Sequence, residues 1–353
     1  MRDFHACQRQ GQGLPWRSDL RTDRVSLRRG ELSATLTCTH GQQQARWTPS
    51  DNLHWYNIYY PAEDERGQDC FEDYFVPGSY EVTLTHDAAT GAESAANSVR
   101  FAIALGDRPA DPQGWTIDER SELLEPIANQ LKPTPPEVTP PTTQAVLHDP
   151  MLPRILAQAL DDFVVERRNK GQSYTTIMAG YPWFADWGRD TFIALPGLLL
   201  TTERFEEARS CLKLYANAVK DGLVPNRFDD YDDQAAHYNT VDSSLWFIRA
   251  AMEYLQTSGD RDSWHDWLAP VCLQIMDAYI RGTNHNIRVG GDGLVTAGNP
   301  GTQLTWMDAA TAGVVFTPRP GKCVEINALW YHALVSLAEM IRHSPEIDPR
   351  VAE

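Results

Sequence analysis

Three stretches in the second half of the chain concentrate side chains that can grip and protonate a polar ligand. The first is Tyr181-Pro182-Trp183-Phe184-Ala185-Asp186-Trp187-Gly188-Arg189-Asp190-Thr191, which sets aromatics, two carboxylates and one arginine directly before an apolar run. Aromatic planes stack on a pyranose ring, and an Arg–Asp pair presents fixed donors and acceptors to its hydroxyls. Taken singly, Asp190 reads equally well as a helix cap and the tryptophans as core. The cluster as a whole carries more chemistry than capping and packing require. The second stretch runs through Val224-Pro225-Asn226-Arg227-Phe228 to Tyr238-Asn239-Thr240-Val241-Asp242. Between them, Asp229, Asp230, Asp232 and Asp233 lack the spacing and glycine of a calcium loop and read as a solvated acidic loop. Asp242, one turn before Trp246, is either a helix-start residue or a group facing a polar cavity.

The third stretch contains Thr305-Trp306-Met307-Asp308, followed by Pro318-Arg319-Pro320-Gly321-Lys322-Cys323-Val324-Glu325-Ile326-Asn327. A carboxyl beside an indole keeps its proton to higher pH, which is what a glycosidase general acid needs; Asp308 is the candidate. Glu325 and Asn327 open an apolar helix, where an acid also suits the positive end of the helix dipole. Gly321-Lys322 is no phosphate loop, because the earlier glycine is missing and Cys323 stands where Ser or Thr belongs. No H-E-x-x-H, G-x-S-x-G or G-x-G-x-x-G occurs. Paired carboxylates are the best-supported chemistry, with no metal and no cofactor.

Elements of two kinds must position these groups. Residues 1–108 carry short alternating runs at 24–27, 33–38, 53–60, 79–85 and 99–105, broken by Gly, Asp, Asn and Pro, which predict a β-sandwich. Residues 109–149 form a linker, with Pro133, Pro135, Pro136, Pro140 and Pro141 stiffening its second half. From residue 150 to 353 the period becomes helical. Apolar stripes run through 152–163 (ended by Lys170-Gly171), 190–200, 204–220, 241–255, 262–281 and 325–342. Tight turns alternate with long loops, and long loops without regular structure mark function. Helical hairpins whose long loops gather at one end predict part of an α/α toroid with its site at one mouth.

The charge balance, 31 Lys and Arg against 48 Asp and Glu, gives a formal −17, which repels phosphate backbones and anionic lipid. Nucleic acid and membrane surfaces are therefore excluded as partners. No apolar run approaches the roughly 20 residues of a bilayer span, and the first residues lack a signal peptide's apolar core. The six scattered cysteines contain no C-x-x-C pair, so a reducing cytoplasm is the expected compartment.

Together the motifs AGYPWFADWGRDTFIALPGLLL, GLVPNRF…YNTVDSSLWFI and GLVTAGNPGTQLTWMDA…TPRPGKCVEINALWYHAL resemble the amylo-α-1,6-glucosidase domain of glycogen debranching enzymes. The resemblance covers residues 150–343 and holds the three motifs in the family's order. YYPAEDERGQDCFEDYFVPGSYEV resembles the end of the sandwich domain that precedes the catalytic domain in prokaryotic members. The resemblance implies an all-α (α/α)6-barrel of the six-hairpin glycosidase type. It implies inverting hydrolysis of α-1,6-linked glucose stubs in glycogen, limit dextrin or branched maltooligosaccharide. Asp308 is then the general acid, while Trp187, Arg189, Asp190, Asp242, Trp306, Glu325 and Asn327 bind substrate. An alternative makes Asp190 and Asp242 the catalytic carboxylates.

A closed barrel needs twelve helices, about 400 residues at the rhythm seen here. About 200 follow the linker, so half the barrel is expected, in a fragment lacking both ends and the late carboxylate that serves as base. Two alternatives stay open: another inverting α-glucosidase of glucoamylase or trehalase type, and a non-catalytic glucan-binding protein.

Overall fold

The computed structural model describes residues 7–11, 15–20, 24–30, 32–40, 43–51, 53–65, 67, 69–83, 99–106, 117–131, 151–180, 184–229, 235–311 and 313–343. Strands come first and helices follow. The chain divides into two compact units, residues 1–123 and 124–353.

In the first unit every strand pairing is antiparallel. Strands β1 (Arg17–Leu20), β2 (Val25–Arg29) and β3 (Leu32–His40) form a meander. β9 (Val99–Leu105) joins β3 with Leu36 opposite Ile103, and β4 (Gln43–Gln44) folds back on the end of β3. Two further ladders pair β5 (Arg46–Pro49) with β8 (Gly78–Glu81) and β6 (His54–Tyr59) with β7 (Phe71–Phe75). Tyr80 ties the β5–β8 ladder to the five-stranded sheet. Its hydroxyl donates to Leu36 O at 2.9 Å, and its ring meets Phe101 edge-on with centroids 6.1 Å apart. The apolar alternation of β9 points the other way from the half-buried pattern expected of it: Val99, Phe101, Ile103 and Leu105 are exposed.

The stretch read as linker contains a helix, α1 (Ile117–Gln130), while its proline-rich part, residues 132–150, lies outside the described residues. Leu124 and Ala128 of α1 pack on Ala157 of α2 (Leu152–Asp161). The sequence reading took this second helix to end at Lys170-Gly171. The structure instead ends it at Asp161 and builds a hairpin of β10 (Val164–Asn169) and β11 (Gln172–Ile177), with Lys170 and Gly171 as the two-residue turn. Both turn residues have positive φ, 49° and 76°, which matches the right-handed twist of the flanking strands. β-branched residues on both strands explain the switch, since Val164, Val165, Thr175, Thr176 and Ile177 suit a pleated surface better than a helix.

The rest of the second unit is mainly helical, with three short two-stranded ladders in its loops. α3 (Gly188–Leu195) continues through Pro196 as a wide turn closed by Thr201 N to Pro196 O at 2.9 Å, so the proline widens the helix without breaking it. It is followed by α4 (Phe205–Asn217), α5 (Ser243–Ser258), α6 (Ala269–Arg281) and α7 (Val324–His343). α5 is the centre, packed against α3, α4 and α7. Phe192, Tyr215 and Phe247 meet edge-on around it at 4.8 and 5.4 Å, beside the fully buried Ala250, Ala251 and Met252. Among the described residues no helix is long and apolar enough to cross a membrane.

Asp221 and Gly222 turn the chain after α4, and a Cβ on Gly222 (φ +74°) would overlap Ala278 of α6. Gly222→Ala therefore lowers stability by about 2–4 kcal/mol, from left-handed strain plus overpacking. Gly293→Ala has the same sign of φ (+78°) but open space around it. It costs only about 1–2 kcal/mol, and urea denaturation of the two variants checks the difference.

Candidate functional site

The site is assembled where α3, α5 and α7 begin. The chain enters α3 with Trp187 extended and bridged to Arg227, and Gly188 N donates to Asn226 O at 2.8 Å. Position 188 must be glycine, because a Cβ would collide with Pro225 O and Ser243 Oγ. The entry to α5 is stitched to the same loop. Ser243 Oγ donates to Pro225 O at 2.9 Å, Val224 N donates to Ser244 Oγ at 2.8 Å, and Val241 N donates to Leu304 O at 2.9 Å.

These contacts bring Arg189 against two carboxylates. Its Nε donates to Asp242 Oδ2 at 2.7 Å and its Nη2 to Asp242 Oδ1 at 3.1 Å, a forked pair. Its Nη1 reaches Asp308 Oδ2 at 3.2 Å. Arg189 is 9% exposed and Asp242 2%. The Thr240 hydroxyl donates a third bond to Asp242 Oδ1 at 2.8 Å. Asp242 occupies the residue before α5, yet its carboxylate caps nothing; it faces the guanidinium. Asp190 stands in the first turn of α3. Burial pushes its carboxyl above the ordinary range, against the pull of Arg189 and with the push of Asp308 and Asp242.

A cavity of about 550 Å³ opens beside this cluster. Each helix gives it one stripe: Arg189 and Ile193 from α3; Trp246, Arg249 and Glu253 from α5; Glu325, Ala328, Leu329 and His332 from α7. The spacings of three and four are those of one helix face. Asp242 and Trp306, which is 58% exposed, complete the lining. Arg249 Nε donates to Glu253 Oε1 at 2.9 Å, and its guanidinium lies 5.2 Å over the Trp246 ring. Burial, and then the charge of Arg249, lower the His332 pKa, favouring neutral imidazole. Glu325 is held below the usual carboxylate range by the forked grip of Arg319, which also reaches Thr305 Oγ1 at 3.3 Å.

Arg189, Asp242, Asp308, Trp306 and Glu325 thus gather around one cavity or its mouth. Asn327 and Trp187 do other work. The Asn327 amide accepts from Val295 N at 2.8 Å and donates to Val295 O and Cys323 O, strapping a loop to α7. Trp187 lies under the Arg227 guanidinium at 5.8 Å. Arg249, Glu253 and His332 escaped the sequence reading, although the signal was there: charged residues at i and i+4 on the cavity stripe of a helix that is otherwise apolar. Of the acidic loop only Asp229 is described, and among the described residues no cluster of His, Cys, Asp and Glu could hold a metal ion.

Residues 158–349 match the family model described as amylo-alpha-1,6-glucosidase, and residues 1–90 match that described as glycogen debranching enzyme N terminal. The glycogen debranching enzyme of Saccharomyces cerevisiae is 27% identical over 229 residues, 48% of this chain and 15% of the yeast protein. The chain thus spans a small part of that relative. Among solved structures, a rhamnosidase from Klebsiella oxytoca with rhamnose bound aligns with 94% of this chain and 60% of its own at 14% identity. Its TM-score of 0.35 is too low to bear on ligand or reaction.

The raised Asp190 carboxyl has a consequence for stability. In the unfolded chain it ionises near pH 4, whereas in the folded chain it keeps its proton to higher pH. Its contribution is therefore full at low pH and is lost as pH rises through the folded value. Asp190→Asn should match the wild type below about pH 4 and gain on it toward pH 7, as read from urea midpoints across that range.

Proposed function

The chain belongs to the amylo-α-1,6-glucosidase family, and on that premise we propose that its second unit binds the single α-1,6-linked glucose of a trimmed branch point and is built to hydrolyse it with inversion. The observation that carries this reading is the meeting of Arg189, Asp242 and Asp308 beside a cavity lined by two indoles. A sugar needs alternating donors and acceptors in its plane and apolar contact on its faces. The Arg189 cluster supplies the first, while Trp246 and Trp306 supply the second. Substrates in this reading are glycogen, limit dextrin and branched maltooligosaccharides. The α3, α5 and α7 stripes are taken as inner-wall helices of an (α/α)6-barrel, preceded by a sandwich. The six thiols, none in a disulfide, suit a reducing cytoplasm.

Asp308 is assigned as general acid, giving its proton to the glycosidic oxygen as the C–O bond breaks. Inversion also needs a base roughly 6.5–9.5 Å from the acid, to take a proton from the attacking water. Each carboxylate lining the cavity is already engaged by an arginine: Asp242 by Arg189, Glu253 by Arg249, and Glu325 by Arg319. With no base assigned among them, the isolated chain is expected to bind glucose far better than it turns it over.

A second reading makes Asp190 the proton donor, favoured by the rise in its pKa on burial. The two are separated with a maltooligosaccharide carrying one α-1,6-glucosyl stub. If Asp308 is the acid, Asp308→Asn abolishes whatever glucose release the wild type shows and spares glucose binding by calorimetry. Asp190→Asn then weakens binding instead. The opposite pattern makes Asp190 the acid. Equal release from linear maltotetraose points to a glucoamylase-type enzyme, and binding without any release to a glucan-binding protein.

A further inference from the structure

Outside the cavity, the turn into α3 is held by a buried ion pair that no part of the proposed reaction uses. Asp186 is 2% exposed, yet both its oxygens are satisfied. Arg167 of the β10–β11 hairpin gives Nε to Oδ2 and Nη2 to Oδ1, each at 2.7 Å, and the Thr176 hydroxyl adds a bond to Oδ2 at 3.0 Å. The same guanidinium donates Nη1 to Asp229 O at 3.0 Å and lies 5.3 Å over the Phe228 ring. One arginine therefore grips both segments that frame Arg189: residues 185–188 leading into α3, and residues 226–229 whose backbone holds Gly188 and Trp187. Burial raises the Asp186 carboxyl, and Arg167 and Thr176 oppose that rise, so the charge depends on its partners staying in place.

We propose that Arg167 and Asp186 are positioning residues, which fix the place of Arg189 at the glucose site by locking its two framing loops to the hairpin. Asp186 lies three residues before Arg189 along the chain, so a shift in its carboxylate moves the backbone that carries the Arg189 guanidinium. Lysine at 167 keeps the charge but loses the fork, and so cannot hold Asp186, Asp229 O and the Phe228 ring together. Displacement of a binding group by about 1 Å costs on the order of 100-fold in rate. This inference rests on the reading of Arg189 as a glucose-binding residue.

The test compares wild type with Arg167→Lys and with Thr176→Val, which removes the hydroxyl's bonds to Asp186 and Tyr215 and leaves the ion pair. Hydrogen exchange of peptides covering residues 184–190 and 243–258, glucose binding by calorimetry and melting temperature are measured on each. In Arg167→Lys, exchange at the Gly188 amide should rise and glucose binding should fall at least tenfold, with α5 as protected as before. Thr176→Val should show the same two changes in smaller measure. Unchanged exchange at Gly188, or glucose binding within twofold of wild type, overturns the proposal. So does a rise in exchange spread equally over α5, because the pair is then a general stabiliser. A wild type that binds no glucose sinks the functional reading instead. Exchange at Gly188 then still decides whether Arg167 and Asp186 hold the turn, and an unchanged rate there sinks the positioning claim as well.

Discussion

One buried guanidinium holds the site together. Arg189 is planar and permanently charged, and its forked edge fits Asp242 while the remaining nitrogen reaches Asp308. The two acids come from loops far apart in sequence, so the cluster forms only when both loops return to the mouth of α3. Burying such charges is costly unless each is matched, and loss of one partner leaves the others in low dielectric without compensation. The cluster thus constrains the course of every loop around it.

Those loops have little regular structure, so their backbone groups must find partners elsewhere. Hydroxyls and amides near the helix ends supply them. Ser243 and Ser244 serve the loop before α5, Tyr279 OH donates to Val241 O at 2.8 Å, and Asn327 straps residue 295 to the start of α7. Several polar residues near the cavity are therefore framework. Side chains that the sequence offers as ligand groups are used instead to hold the loops around the cavity.

The cavity itself follows from helix geometry. α5 is buried on most sides by Phe247, Ile248, Ala251 and Leu255, and the one stripe left over carries Trp246, Arg249 and Glu253. α7 presents Glu325 and His332 seven residues apart on the stripe that faces the same space. The charged groups of the lining are paired, Arg189 with Asp242, Arg249 with Glu253 and Glu325 with Arg319, which keeps the lining polar without an unmatched carboxylate.

The sequence by itself determined the division into a β-rich first half and a mainly helical second half, the positions of the major helices and the three loops whose residues border the cavity. Periodicity and loop composition are local properties, and so are family motifs. The hairpin at 164–177 was misread because its apolar residues continue the stripe of the helix before it, and only pairing across the Lys170-Gly171 turn distinguishes the two. Which carboxylate faces Arg189 was decided by tertiary structure alone. Asp190 is its neighbour in sequence, but one helical step turns adjacent side chains about 100° apart, and the fork closes on Asp242, 53 residues away. The partners of Asn327 (Val295 and Cys323) and of Asp186 (Arg167 and Thr176) were likewise fixed by tertiary structure, since a side chain's partner depends on what packs opposite it.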